Sequence, residues 1–250
     1  MILLQARAKL DRANVHIRDL EGRVKALEDT DTAFVEIHPE HGTERLTHTL
    51  DESAFDHIAL VIGDAVHNLA CALDYTWLET VERLAPALVR DNAKFPVYRT
   101  APELEGQLRG RNVQIDVTSP ALFDFVVNEI QPYEGGNTAI WPAHCFANRD
   151  KHRLLIPVLA QGHINGIEVQ DETGELWPGS GLSEFQRPPY VIDLMPGLHF
   201  TKKGKLTALI GVEDGKFGCS MDVPETINMH LGAIVGVVEA FESFLQSQGF

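Results

Sequence analysis

The stretch that decides the fold is GDAVHNLACALDY, residues 63–75, inside a longer segment that runs from 58 to 84. At about 100° per residue, its apolar and polar side chains separate onto two faces of a helix. A surface helix usually carries Lys and Glu on its polar face, whereas this one carries mostly short polar groups. The pattern predicts a central helix with a core on one side and a polar pocket on the other. The apolar side is Ile62, Val66, Leu69, Leu73 and Trp77, and the polar side is Asp64, His67, Asn68, Cys71, Asp74 and Tyr75.

Two further long helices are predicted, one towards each end of the chain. In both, apolar residues recur at spacings of three and four, which is a heptad pattern. Pro224 opens the second of these helices, since proline is favoured in the first helical turn. Each apolar seam predicts packing inside a helical bundle or, as an alternative, a homodimer through the seams. The N-terminal seam is Leu3, Ala6, Leu10, Ala13, Ile17, Leu20, Val24 and Leu27, and the C-terminal seam is Ile227, Leu231, Ile234, Val238, Phe241 and Leu245.

Between 154 and 222 the pattern is mainly that of β-strands. Apolar residues alternate with polar ones around 206–212, and Asp214-Gly215 is a strong hairpin signal. The Pro- and Gly-rich stretch 177–189 is predicted to be a loop. The chain is therefore predicted to be one α+β domain over 1–250. Its helical bundle covers 1–150 and 223–250, and an antiparallel β-sheet at 154–222 is inserted into it.

A β-hairpin is also predicted earlier in the chain, between 33 and 50. It carries His38, His41 and His48, which are expected to face solvent because their spacing matches no metal site. Ser119-Pro120 predicts a helix that continues through Ile130.

Amino-acid composition excludes some classes of function. The chain has 250 residues, a formal net charge of −15 and three widely spaced cysteines. The acidic balance argues against non-specific nucleic-acid binding, which needs a basic surface. The odd, scattered cysteines predict free thiols in a reducing cytoplasm. No apolar run approaches the roughly 20 residues of a membrane span, so a cytoplasmic protein without a membrane partner is expected.

A second polar cluster is NRDKHR, residues 148–153, directly before an apolar run that is predicted to be a buried strand. Such a junction between a helix and a strand is a common place for a functional site. We expect Asp64, His67 or Asp74 to lie within hydrogen-bond or salt-bridge reach of this cluster. The candidate binding residues are Asp64, Asn68, Asp74, Asn148, Asp150, Lys151 and Arg153.

Three chemistries fit these two clusters. RNA cleavage without a metal needs a base, an acid and a cation, which His67, His152 and Arg153 would supply. A metal-dependent hydrolase would draw Zn, Mn or Fe ligands from both clusters, although no metal signature assigns the ion. A structural or oligomerisation protein would use the same charges as ion pairs between the helix and the junction. The metal alternative uses Asp64, His67, Asp74, Asp150 and His152.

The stretches 63–75 and 148–153 resemble two sequence motifs of a widespread family of uncharacterised bacterial and phage proteins. That family tends to read G-D-x-x-H-N-L-R-x-A-L-D-H and N-x-D-K-H-R, and the resemblance extends from the first helix past Arg153. Its first motif is similar to the Arg, four residues, His arrangement of the HEPN superfamily of helical RNases and defence components. The resemblance implies a HEPN-like helical core, a phage or defence association, and a pocket for nucleotide or RNA. Ala70 and Tyr75 stand at the Arg and His positions, which implies binding without cleavage.

Overall fold

The structure is a computed structural model. It describes the chain except residues 1, 39–40, 90–92, 111–112, 138–139, 153–157, 187 and 213–221. Inside helices and strands, the side chains at 146, 148–152, 158–160, 182–186 and 212 also lie outside the description. The predicted strand after 153 and the predicted Asp214-Gly215 hairpin fall largely in these gaps.

The three predicted long helices are present. They are α1 (Leu4–Glu28), α2 (Ser53–Leu84) and α7 (Val223–Ser247). The segment predicted as one helix through Ile130 is α-helical only at its start and then widens into a π-helix, Phe125–Ile130. The shorter α-helices are α3 (Ala101–Leu108), α4 (Ile115–Thr118), α5 (Pro120–Asp124) and α6 (Ile140–His152).

Two antiparallel three-stranded sheets accompany the helices, which confirms the α+β class. The first sheet has the order β1-β2-β5 and the second the order β4-β3-β6. The first sheet is built from β1 (Thr32–Ile37), β2 (Glu44–Thr49) and β5 (Tyr190–Asp193). The second is built from β3 (Val158–Asp171), β4 (Leu176–Gln186) and β6 (Leu198–Val212).

The prediction of a loop over 177–189 is wrong, because β4 covers most of it. The strand accepts Pro178 because β4 lies at the edge of its sheet, where a missing N–H costs no ladder bond to a further strand. Gly181 in this strand has a packing role. A Cβ at Gly181 would collide with the side chain of Ile192 on β5.

The chain divides into two compact units, each assembled from separated stretches. The first unit consists of Met1–Ile17, Ile62–Leu154 and Ile227–Phe250, and it is helical. The second consists of Arg18–Val61 and Leu155–Thr226, and it holds both sheets.

The N-terminal seam is buried within the single chain, as a bundle helix requires. Leu10, Ile17 and Leu20 are each at most 4% exposed, whereas Val24 is half-buried. The first turn of α1 is held by carboxylates from two other helices of the first unit. Glu79 of α2 accepts the backbone N–H of Gln5 (3.3 Å) and Ala6 (3.5 Å), and Glu242 of α7 accepts those of Ile2 (3.3 Å) and Leu3 (3.4 Å). Carboxylates at a helix N-terminus complement both its free N–H groups and its dipole.

The core of the second unit contains a buried histidine. His48 on β2 has no solvent exposure, so the expectation that it faces solvent is wrong. Its Nδ1 lies 2.8 Å from Asp31 and its Nε2 lies 3.0 Å from the carbonyl oxygen of Lys203. His38 and His41 stack on each other with ring centroids 4.9 Å apart.

Among the described residues, α2 is the one helix whose length and composition would suffice to cross a membrane. Of its most apolar window, 61% is buried inside the protein. A buried core helix meets the same criterion, and α2 carries core residues around most of its circumference. Those residues include Ile58, Ile62, Ala65, Val66, Leu69, Ala72, Leu73, Thr76, Trp77, Thr80 and Val81.

Candidate functional site

A small cleft in the first unit brings an acid, a base and a cation together from three separate segments. We call it the first cleft, and its volume is about 70 Å³. Asp74 comes from α2, Lys94 from the extended stretch that follows it, and His144 from α6. The complete lining is Ala70, Leu73, Asp74, Lys94, Phe95, Val97, His144 and Ala147.

The extended stretch is fixed to α2 through Phe95. The backbone N–H of Phe95 donates to Oδ1 of Asp74 (2.9 Å), and its buried ring packs edge-on against Trp77 and Phe241. Further along, the N–H of Tyr98 donates to the carbonyl of Pro132 (3.1 Å). These anchors fix the position of the neighbouring Lys94 backbone, while its side chain remains exposed.

Two polar groups of the first cleft retain capacity for a ligand. Among the described residues, Lys94 makes no ion pair, and Asp74 accepts only the bond from Phe95 through Oδ1. A carboxylate offers two oxygens with roughly four acceptor positions, so Oδ2 of Asp74 can take a donor such as a hydroxyl group. The ammonium of Lys94 can donate up to three hydrogen bonds to an anion.

His144 is placed by the start of α6. The side chain of Asn137 accepts the backbone N–H of Ile140 (3.2 Å), which satisfies one of the free donors at the start of this helix. One turn into the helix, the half-buried His144 ring stacks on Trp141 with centroids 6.2 Å apart and an interplanar angle of 24°. The indole of Trp141 therefore lies beside the imidazole that lines the cleft.

A second, larger cleft adjoins the first, and Lys94 lines both. This second cleft has a volume of about 170 Å³ and is mainly apolar. Partial burial raises the pKa of the Tyr98 hydroxyl above its usual range, so Tyr98 stays neutral at its wall. The complete lining is Trp77, Val81, Leu88, Ala93, Lys94, Pro96, Tyr98, Gln107, Leu108, Val113 and Ile115.

Helix α3 forms part of the wall of the second cleft. It begins with a reciprocal capping box, in which Thr100 accepts the N–H of Glu103 (3.3 Å) and Glu103 accepts that of Thr100 (3.2 Å). This cap fixes the register of α3, which buries Leu108 and leaves Gln107 exposed. The amide of Gln107 therefore stands at the rim.

The predicted polar face of α2 divides between different environments. Asp74 lines the first cleft, whereas Asp64 and His67 are exposed and do not line it. Nε2 of His67 lies 3.5 Å from Sγ of Cys71, one turn along the same helix. Asn68 is buried, and its side-chain amide donates a hydrogen bond to the backbone carbonyl of Asp64 (2.8 Å). Its side-chain oxygen accepts a hydrogen bond from Nζ of Lys9 (3.4 Å). Asn68 therefore ties α1 to α2 within the first unit.

The second polar cluster lies largely outside the described residues. The backbone of Asn148, Asp150, Lys151 and His152 forms the last part of α6, but their side chains are not described. Arg153 lies outside the described residues altogether. Helix α6 extends to His152, so residues 148–152 of the cluster continue the helix that carries His144. Its convergence with α2 stays a prediction.

The described residues contain no group of three His, Cys, Asp or Glu side chains placed to hold a metal ion. Of the five ligands in the metal alternative, Asp64, His67 and Asp74 are among those residues and do not form such a group. Asp150 and His152 have side chains outside the description. Cys71 and Cys145 are not part of a disulfide, and Cys219 lies outside the described residues.

Two residues of the first cleft were not identified from the sequence. His144 precedes Asn148 by four residues, so the helical period places both on one face of the same helix, and this signal could have identified it. Lys94 has no such local signal, because an isolated lysine before an apolar pair is usually a solvated surface charge. Its position at both clefts depends on the Phe95 anchor, which is a tertiary contact.

Comparison with known proteins gave no match to a family model, to a curated protein or to a solved structure. The function of this chain is therefore inferred from its own residues, together with the motif resemblance.

Proposed function

We propose that the protein is a cytoplasmic, HEPN-like binding protein of phage or defence association, whose first cleft binds a nucleotide through its phosphate and a sugar hydroxyl without cleaving it. The observation that carries this proposal is the presence of Asp74, Lys94 and His144 around one cleft. The Lys94 ammonium suits a phosphate, and the free oxygen of Asp74 suits a sugar hydroxyl.

The motif resemblance supports the same location. Ala70, which stands at the position of the family's Arg, lines the first cleft. An arginine there would reach the cleft and bind phosphate through its planar fork. With alanine at this position and Tyr75 at that of the family's His, these two positions offer neither a guanidinium nor an imidazole. The cleft keeps groups that bind while the paired groups implied for cleavage are missing.

The test is calorimetric titration with a nucleoside monophosphate. Lys94→Met should weaken binding at least fivefold, because it removes the cation of the first cleft while keeping a side chain of similar length. Lys25→Met is the matched control, since Lys25 is exposed on α1 and lines neither cleft. The absence of binding, or equal losses in the two variants, would contradict the proposal.

A parallel RNA cleavage assay in chelator tests the second half of the proposal. No cleavage is expected, because a positioned acid or base contributes roughly 10²-fold to 10⁴-fold in rate and the motif positions lack both. Chelator-resistant cleavage that disappears in His67→Ala would instead identify an RNase.

A further inference from the structure

We infer that the second cleft takes the base of the bound nucleotide and that the ligand is a pyrimidine mononucleotide. This inference rests on the proposed function of the first cleft and adds the chemical class of the ligand. Its basis is that Lys94 borders both clefts. A phosphate held by Lys94 therefore leaves the rest of a nucleotide next to an apolar cavity.

The second cleft has the composition of a site for a planar ring. Its walls are apolar or aromatic, with Trp77, Val81, Leu108 and Ile115 all buried around it. Binding sites of this kind combine an apolar lining with a few polar groups that fix the orientation of the ligand. Gln107 at the rim supplies an amide donor and an amide acceptor, which can pair with the polar edge of a base.

Size favours a single ring over a fused pair. An apolar cavity of about 150 Å³ holds a benzene molecule. The second cleft has about 170 Å³, which matches one six-membered ring with little room to spare. A purine would have to leave part of its second ring outside. The pyrimidine ring of a uridine or cytidine nucleotide fits the available volume.

Charge favours a mononucleotide over a polymer. The chain has a formal net charge of −15. Long-range repulsion therefore opposes a polyanion, and each additional phosphate needs its own cation to offset it. Among the residues that line the two clefts, Lys94 is the one lysine or arginine. A single cation matches a ligand with a single phosphate group.

The experiment compares four probes by calorimetry: uridine 5′-monophosphate, adenosine 5′-monophosphate, ribose 5-phosphate and a short oligouridylate. We expect the uridine nucleotide to bind at least fivefold more tightly than either the adenosine nucleotide or ribose 5-phosphate. Val113→Phe, which fills the second cleft, should weaken the uridine nucleotide about tenfold and leave ribose 5-phosphate unchanged. Val117→Phe is the matched control, because Val117 is 75% exposed and does not line the cleft.

The outcomes separate the inference from the proposed function. If ribose 5-phosphate binds as tightly as the uridine nucleotide and both depend on Lys94, the inference fails and the proposed function stands. If none of the probes binds, both fail. If the oligouridylate binds more than tenfold tighter than the mononucleotide, RNA replaces the mononucleotide as the ligand. If the adenosine nucleotide binds tighter, the size argument is wrong.

A second variant guards against a folding defect in Val113→Phe. Should that protein lose its cooperative melting transition, Gln107→Leu replaces it, since Gln107 is exposed and its loss leaves the core intact. We expect Gln107→Leu to weaken the uridine nucleotide about threefold and to leave ribose 5-phosphate unchanged. Equal affinities of the variant and the natural protein for the uridine nucleotide would overturn the placement of the base.

Discussion

The Asp31 carboxylate lies 2.8 Å from Nδ1 of His48, a residue whose side chain has no solvent exposure. The other ring nitrogen faces the carbonyl oxygen of Lys203 at 3.0 Å. Both ring nitrogens therefore lie within hydrogen-bond distance of an oxygen atom, which is how a buried imidazole keeps its polar atoms satisfied. These contacts join β2 to the segment after α1 and to β6 within the second unit.

Removal of the carboxylate should destabilise the protein. Asp31→Ala removes the acceptor beside Nδ1 of the buried His48 ring, and leaving a buried polar group without its partner costs about 1–3 kcal/mol. We expect the lower end of that range because Asp31 keeps 12% exposure. Urea unfolding of this variant should be compared with that of Glu36→Gln, an exposed change in the same hairpin. Equal midpoints for the two variants would show that the pair adds no stability.

The contact between Arg7 and Glu242 should make stability depend on acid pH. Its hydrogen bond from Arg7, at 2.7 Å, lowers the pKa of the Glu242 carboxyl, against an opposing effect of burial. A carboxyl with a lowered pKa in the folded state stabilises it at higher pH, and this contribution is lost as pH falls through the folded-state pKa. The unfolding free energies of the natural protein and Glu242→Gln should therefore differ most near neutral pH and converge well below pH 4.5, the ordinary value.

Asp193 provides the control for this pH dependence. Its pKa is also lowered, chiefly by a hydrogen bond from Arg45, but its side chain is 52% exposed. Exposed ion pairs contribute little because water screens them. Asp193→Asn should therefore change the pH profile less than Glu242→Gln does. A larger change in Asp193→Asn would contradict the importance of the Glu242 contact.

The N-terminal seam gives a test of the bundle. Ile17 is 1% exposed, and truncation of a buried isoleucine to alanine costs about 2–5 kcal/mol. Val15 lies on the same helix and is 52% exposed, so Val15→Ala should change the free energy of unfolding by about 0.5 kcal/mol or less. Thermal and denaturant unfolding would measure both. Similar losses in the two variants would mean that the seam is not a core face.

An arginine at position 70, where the resembled family motif has one, should tighten nucleotide binding in the first cleft. Ala70→Arg adds a second cation to the lining of the first cleft, and we expect about tenfold tighter binding of a nucleoside monophosphate, which corresponds to about 1.4 kcal/mol. Leu60→Arg, at a position of the same helix that is 55% exposed, controls for the change in net charge. Calorimetry at two salt concentrations would measure the effect. An equal gain in Leu60→Arg would assign it to overall charge.

Two histidines give opposite expectations for the site. His144→Gln should weaken nucleotide binding about fivefold, because His144 lines the first cleft. His67→Gln should leave it unchanged, because His67 is exposed and is bonded to Cys71 one turn away. Titration of both variants with the same nucleotide tests this assignment. A larger loss of binding in His67→Gln than in His144→Gln would place the binding site at the exposed face of α2 that carries His67.

The helices were predictable because their signal is local. The periods of apolar residues in α1, α2 and α7 depend on neighbours within a few turns, and they gave the correct buried faces. Strand β4 was missed because Pro178 and its glycines usually mark loops, and their tolerance depends on the edge position. The burial of His48 depends on partners 17 and 155 residues away. No local pattern can contain contacts of that kind.

The candidate site also combines residues with a local sequence signal and residues placed only by tertiary contacts. Asp74 was predicted because it belongs to the polar face of α2. Its neighbours in the first cleft, Lys94 and His144, come from segments whose convergence depends on the Phe95 ring and on the start of α6. The sequence thus predicted one side of the cleft. The second polar cluster, in contrast, is prominent in the sequence but has no described side-chain geometry.

The hydrogen bonds between Glu242 and the backbone at the start of α1 have a consequence for biosynthesis. Leu3 and Glu242 are separated by 239 residues, so the ribosome must add all the residues from Leu3 to Glu242 before the first turn of α1 can be completed. Contacts between such distant residues slow folding, because a large loop must close first. The N-terminal seam emerges early with part of its covering still unmade, which is the condition under which nascent chains aggregate or recruit chaperones. Stalled chains that end before α7 should therefore be bound by chaperones or degraded rather than accumulate as a folded first unit.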